Sequence, residues 1–253
     1  MLVSVVIPLY NEEAGLEALS ADVEIMRQSI AAIGHSVEVI FVDDGSNDGT
    51  TWNLSILFRT RQDVRVVAHK RNRGFGAALR SGIRNARGAV ILACDGDRPY
   101  PPGDASLLVE AVQGPEDADV STVSPWGSGG RADDVPGHRR LLSRGASLLY
   151  RLALGKRAGG LTCFTATYRG YKADVLRTVE FRSDDFLANA EILVRLLVDG
   201  RRAIEIPAAL SNREMGTSKM RVARTIRRHL GLLWRIVTGG LDDWRPKGSG
   251  APV

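Results

Sequence analysis

The chain has 253 residues, 44% of them hydrophobic, and a net charge of +5, which is enough apolar content for one substantial core. Its two cysteines, Cys94 and Cys163, form no Cys-x-x-Cys pair, which excludes a disulfide framework and a cysteine-rich zinc site and fits a reducing cytoplasm. The chain opens on the apolar run VSVVIPLY without a basic leader, and no apolar stretch reaches the roughly 18 residues that cross a bilayer, so the expectation is a protein neither exported nor membrane-spanning.

In chain order, Val3–Pro8, Val37–Val42, Val64–Ala68 and Ala89–Cys94 read as strands buried on both faces. Between the first two, Leu16, Leu19, Val23, Met26, Ile30 and Ile33 recur at helical spacing, and Gly34 offers a stop. A second helix is expected after Asp48 as its N-cap, and a third from about Phe75 to Ala86. Strand and helix in alternation predict an α/β fold with a mostly parallel sheet flanked by helices and right-handed crossovers. Gly127–Gly137, rich in glycine and charge, reads as a mobile loop able to cover the sheet rim. Helices follow at Arg140–Leu154 and Leu187–Val198, with strands near Ala166–Arg169 and Arg202–Ile206, and Trp244–Val253 reads as a disordered tail.

Ligands of such sheets bind beyond the carboxyl ends of the strands. There the sequence sets Tyr10, Asn11 and Glu12 after the first strand, Asp43 and Asp44 after the second, and Asp95 and Asp97 after the fourth. A single Asp pair is ordinary turn chemistry. Three acidic clusters on one rim are a constellation. Asp95 and Asp97 flank Gly96 at the end of the apolar run AVILAC, an arrangement suited to Mg²⁺ or Mn²⁺, hard cations that complete their shell with water and diphosphate oxygens.

The segments VSVVIPLYNEE, VDDGSNDGT, NRGFGAALRSG and the Asp95-Gly96-Asp97 triplet resemble, in order and spacing, family-two glycosyltransferases of the Rossmann-like GT-A fold. RRLLSRGASLLYRLALG, Tyr168–Tyr171 and the R-x-x-G-x-S-K pattern at Arg213–Lys219 are similar to the dolichol-phosphate mannosyltransferase branch. The resemblance implies a single transferase domain over residues 1–243, with a nucleotide-sugar half at 1–100, an acceptor half at 101–219, an amphipathic helix at 220–238 and a tail at 244–253. It implies inverting transfer from a GDP- or UDP-sugar to a polyprenyl phosphate with a divalent metal.

By the same resemblance, Pro8, Tyr10, Glu12 and one or both of Asp43 and Asp44 hold the nucleoside, and Arg73 lies near phosphate. Asp95, Gly96 and Asp97 bind metal and diphosphate, while Arg139, Arg213 and Lys219 contact donor diphosphate or acceptor phosphate; Asp97, Arg213 and Lys219 are the expected catalytic residues. Arginine's fork and lysine's point charge both suit phosphate. A phosphate acceptor is already anionic and needs positioning more than a general base. Of the four histidines, only His69 and His138 fall near the expected site. Asp184, Asp185 and Glu191 could serve a hydroxyl acceptor as base, or form a helix start and a structural face.

Three positions depart from the branch: Pro99 stands in place of a glutamine, Pro125 of an arginine and Cys163 of an aspartate. They leave a degenerate nucleotide-sugar-binding protein as an alternative to an enzyme acting on this or another acceptor. A dinucleotide-binding reading of NRGFGAALRSG fails because it lacks G-x-G-x-x-G and follows the third strand. A nucleotidyltransferase would carry a basic, glycine-rich loop where PLYNEE is acidic.

The charge is concentrated near the C-terminus. Arg213 to Arg235 holds six arginines and Lys219 against Glu214, leaving the rest of the chain slightly acidic. From Met220 to Val237, Ala223, Ile226, Leu230, Leu233 and Val237 share one helical stripe, and Arg221, Arg224, Arg228 and Arg235 another. This basic amphipathic helix either packs its apolar stripe on the core or, with Trp234, addresses an anionic membrane surface. No nucleic-acid module accompanies it, so nucleic acid is not an expected partner. The expected location is cytoplasmic, peripheral on the inner face of the membrane.

Overall fold

The computed structural model describes residues 1–97, 99–132, 135–211 and 222–241. Its strands are β1 (Leu2–Leu9), β2 (Ser36–Asp43), β3 (Val64–Ala68), β4 (Val90–Ala93), β5 (Val120–Ser124), β6 (Arg169–Lys172) and β7 (Ala203–Pro207). The helices are α1 (Leu16–Ala32), α2 (Thr50–Leu57), α3 (Phe75–Asn85), α4 (Ala105–Gln113), α5 (Gly137–Leu154), α6 (Ala173–Arg177), α7 (Leu187–Val198) and α8 (Val222–Thr238). One sheet runs in the order β3-β2-β1-β4-β6-β5-β7. The first four strands are mutually parallel, β6 is antiparallel to β4 and β5, and β7 is parallel to β5.

Successive residues of a strand face opposite sides, and β1 uses both. Val6 joins Ile40, Val42 and Ile91 under α3 and α7, while Val5 and Ile7 join Val39, Phe41 and Leu92 under α1 and α4. Helices therefore cover both faces, which is why the central strands read as unbroken apolar runs. Leu16, Leu19, Val23, Met26 and Ile30 are the buried face of α1, and Gly34, at φ 81°, carries the chain out of it.

Several expectations need correction. β3 is an edge strand, half-buried over Val64–Val67 and exposed at Ala68, not buried on both faces. The strand expected at Ala166–Arg169 begins only at Arg169, because its ladder partner β4 stops at Ala93, opposite Arg169. Asp48 accepts a hydrogen bond from Thr50 N (3.0 Å), one residue ahead of Gly49, which holds the cap position. Gly137, taken as the end of a loop, is the first residue of α5, and Arg131 bridges Ala209. Asp133, Asp134, Arg213, Lys219, Met220, Arg221 and Trp244–Val253 lie outside the described residues.

α8 does not bury the stripe expected of it. Leu232 is buried, and Leu233 and Ile236 pack partly against the core, but Ile226, Leu230, Trp234 and Val237 are exposed. Tyr150 of α5 shares a hydrogen bond with His229 (2.8 Å), and Arg228 pairs with Asp185. These contacts turn the Leu232 side inward. The neighbouring helix α5 buries Ser147, Tyr150 and Leu154 while Leu141, Leu148 and Leu152, at helical i, i+7, i+11 spacing, stand exposed on the other side. No helix among the described residues is long and apolar enough to cross a membrane.

Candidate functional site

Because β1, β2 and β4 are parallel neighbours, their carboxyl ends open on one rim, with Leu9 level with Asp43 and Val6 level with Ala93. That topology brings together the residues leaving each strand: Tyr10 and Asn11, Asp43 and Asp44, Asp95 and Asp97.

The first two loops are laced to each other. Asn11 N donates to Ser46 Oγ (2.8 Å), and the Asn11 side-chain oxygen accepts from Asn47 N (2.8 Å). Glu12 N donates to Thr50 Oγ1 (2.9 Å), and the Glu13 carboxylate accepts from Gly49 N (2.9 Å). Gly45, at φ 72°, runs so close to the loop after β3 that a Cβ there would lie 2.4 Å from the Arg71 carbonyl carbon, so only glycine fits. Between these loops lies a cleft of about 290 Å³ lined by Tyr10, Asp43, Asn47, Thr51, His69, Lys70 and Arg71, among others. The basic pair in its lining, Lys70 and Arg71, suits an anionic ligand.

The two aspartates after β2 do different work. Asp43 accepts from the Ser46 amide (3.0 Å) and from the hydroxyls of Ser46 and Thr51, within the cleft wall. Asp44 accepts from Arg73 N (2.9 Å) and Gly74 N (2.6 Å) and meets His69 Nδ1 at 2.7 Å, while His69 Nε2 lies 2.9 Å from Ser81 Oγ on α3. Both oxygens of Asp44 are thus engaged by protein groups that fold residues 70–74. Of the pair read from the sequence as nucleoside acceptors, Asp43 is the one in the cleft wall. Gly74, at φ 96°, abuts the Asp184 carbonyl, which also accepts from Gly76 N (2.9 Å).

Asp95 and Asp97 follow β4 as half-buried residues, each with its Oδ1 out of solvent, and Thr167 Oγ1 donates to Asp95 Oδ2. A Cβ on the intervening Gly96 would strike Leu9 Cδ2 at 2.2 Å, so the turn is packed directly on the end of β1. No cluster of three or more His, Cys, Asp or Glu side chains suited to a metal occurs among the described residues. Two adjacent carboxylates do fit a hard cation whose remaining shell comes from diphosphate and water. Pro99 adds no side-chain ligand, but its carbonyl accepts from Ser211 N (2.9 Å), tying the chain just before Arg213 to this turn.

The other expected residues are dispersed. Pro8 lies inside β1, level with Val42, and Glu12 precedes the turn Glu13–Gly15. Arg73 is held by its main chain with an exposed side chain, and His138 and Arg139 occupy the exposed first turn of α5. Arg213 and Lys219 fall outside the described residues. Glu191 is fully buried, accepting from Arg182 N (3.0 Å) and Ser183 N (2.9 Å) and pairing with Arg195, so it is structural. Sequence reasoning passed over Thr51, Lys70, Arg71 and Thr167; the run HKRNRG after β3 was the available signal for the basic pair, and Thr167 left none.

The family model for glycosyl transferase family 2 matches residues 4–179. A dolichol-phosphate mannosyltransferase from Pyrococcus furiosus is 29% identical over 94% of this chain, which spans 64% of that protein's length. An undecaprenyl-phosphate mannosyltransferase from Micrococcus luteus is 33% identical over 87% of this chain and 88% of its own. In fold, the chain is similar to Mycobacterium tuberculosis glucosyl-3-phosphoglycerate synthase in complex with Mn²⁺, UDP and glucosyl-3-phosphoglycerate, with a TM-score of 0.63, 19% identity and coverage of 99% and 83% of the two chains. With parallel strands β1, β2 and β4 ending on the rim that carries the cleft and the Asp95-Gly96-Asp97 turn, and with these matches, the chain belongs to glycosyl transferase family 2.

Proposed function

We propose that the protein transfers a sugar from a GDP- or UDP-sugar to a polyprenyl phosphate, with inversion at the anomeric carbon. The observation that carries this reading is that the cleft lined by Tyr10, Asp43, Lys70 and Arg71 and the Asp95-Gly96-Asp97 turn both follow the carboxyl ends of neighbouring parallel strands. The names of the Pyrococcus and Micrococcus relatives support a lipid-phosphate acceptor.

In this reading Tyr10 and Asp43 face the nucleoside, and Pro8 and Glu12 set the course of the loop that carries Tyr10. Asp44 holds the 70–74 loop that presents Arg71 and Arg73. Asp95, Gly96 and Asp97 would hold Mg²⁺ or Mn²⁺; when bound, the cation offsets charge on the diphosphate as the sugar–phosphate bond breaks. Arg139, Arg213 and Lys219 address donor diphosphate or acceptor phosphate, positioning an oxygen that already bears charge. No strong base is then required, in keeping with the burial of Glu191. Residues 1–100 form the donor half and 101–219 the acceptor half.

The acceptor's isoprenoid tail requires a membrane. Exposed leucines on α5 and the exposed Ile226, Leu230 and Trp234 on α8, with arginines alongside, support peripheral binding to an anionic surface on the cytoplasmic side.

The test is transfer of labelled sugar from GDP- and UDP-sugars to undecaprenyl phosphate with Mn²⁺. Asp97→Asn is expected to keep the fold and cut turnover by roughly two orders of magnitude or more, as loss of an electrostatic catalytic group does. Full activity in that variant, or no transfer to lipid phosphate from any donor by the wild type, would overturn the proposal.

A further inference from the structure

Residues 161–168 reach β6 by a route tied down along its length. Glu205 on β7 accepts from Thr162 N (3.0 and 2.9 Å to its two oxygens), from Thr162 Oγ1 (2.7 Å) and from Cys163 N (2.8 Å). Phe164 N donates to Ser147 Oγ (3.1 Å), and Thr165 shares a hydrogen bond with Ser143 (2.8 Å), both serines on α5. The fully buried Arg169 donates from Nη2 to the Phe164 carbonyl (2.8 Å). The last tie comes from Thr167, a buried residue whose hydroxyl donates to Asp95 Oδ2.

This pattern has a physical meaning beyond holding a loop. A carboxylate on a partly exposed turn samples several rotamers, and a cation that needs one of them must first select it. A hydroxyl fixed by a buried strap removes that selection, as outer partners of metal ligands generally do. We propose that Thr167 is a positioning residue for the divalent cation: it fixes the Asp95 carboxylate, and the ties from Glu205, Ser143 and Ser147 hold Thr167 in place to do so. The inference rests on the reading of Asp95 and Asp97 as the cation pair.

The test uses the full chain and Mn²⁺ alone, with free Mn²⁺ followed by electron paramagnetic resonance and the melting temperature measured in parallel. Thr167→Val is expected to weaken Mn²⁺ binding about 10–100-fold with little change in melting. Thr167→Ser, which keeps the hydroxyl, is expected to restore binding to near wild type. Wild-type Mn²⁺ affinity in Thr167→Val, alongside a loss in Asp97→Asn, would overturn the role of Thr167 and leave the cation pair standing. Equal binding by wild type and Asp97→Asn would overturn the pair and the inference together. A lowered melting temperature and equal loss of Mn²⁺ affinity in both Thr167 variants would make the residue merely structural and overturn the proposal.

Discussion

Leu141, Leu148 and Leu152 on α5 are 74%, 53% and 71% exposed, an unusual concentration of apolar surface on one helix face. Fully burying one leucine side chain is worth about 1.5–3 kcal/mol, so moving these three from water into the apolar boundary of a bilayer recovers roughly 3–6 kcal/mol. Arginines near an anionic surface add about 1 kcal/mol each, and Arg144, Arg151 and Arg227 are placed to contribute. Arg228 is already committed to Asp185. Replacing the three leucines by glutamine should lower partition onto phosphatidylglycerol liposomes at least about 100-fold, at roughly 1.4 kcal/mol per factor of ten. Glutamine is nearly as good a helix former as leucine, so the melting temperature should hold. Sedimentation with liposomes across a salt series reads both contributions, since only the charged one is screened. If the wild type stays in the supernatant at low salt, or the triple variant sediments equally well, the membrane reading is refuted.

Gly74→Ala should lower both the melting temperature and nucleoside diphosphate affinity. A side chain at φ 96°, ψ 158° costs about 1–3 kcal/mol, and its Cβ would sit 2.1 Å from the Asp184 carbonyl oxygen, forcing apart the loop that Asp44 anchors; unaltered melting and binding would contradict this. His229 tests the seat of α8. Burial pushes its imidazole below the ordinary value, against a weaker upward pull from Asp185. The unfolded chain therefore binds the proton first, and the stability is present above about pH 6.5 and lost as pH falls through the lower folded value. Melting temperature should drop below that pH in the wild type and less so in His229→Gln, whereas parallel curves would remove His229 as the cause.

The parallel half of the molecule was readable in the sequence because its central strands β1, β2 and β4 are buried on both faces and composed largely of β-branched and apolar residues. β5 was not, because three of its five buried residues, Ser121, Thr122 and Ser124, carry hydroxyls. Ser121 donates to the Leu108 carbonyl (2.7 Å), Ser124 shares a hydrogen bond with Thr162 (2.7 Å), and Arg169 Nε donates to Thr122 Oγ1 (3.0 Å), so polar residues are satisfied inside the core and mimic a loop. The rim acids were legible through their positions after strands. Their division of labour was not, since Asp43 and Asp44 differ only in the direction set by the strand end and in the partner His69 supplied from β3's end. For α8, periodicity located an apolar stripe but could not say which side met the core; Tyr150 and Asp185, distant in sequence, decide that.

The reversal of β6 has a consequence for how this site is assembled. A parallel strand lends the rim the residues on its C-terminal side, but β6 lends those on its N-terminal side, because Arg169 at its start lies opposite Ala93 at the end of β4. The segment before β6 therefore reaches the rim from outside the ladder of β1, β2 and β4, and through Thr167 it touches the Asp95 turn.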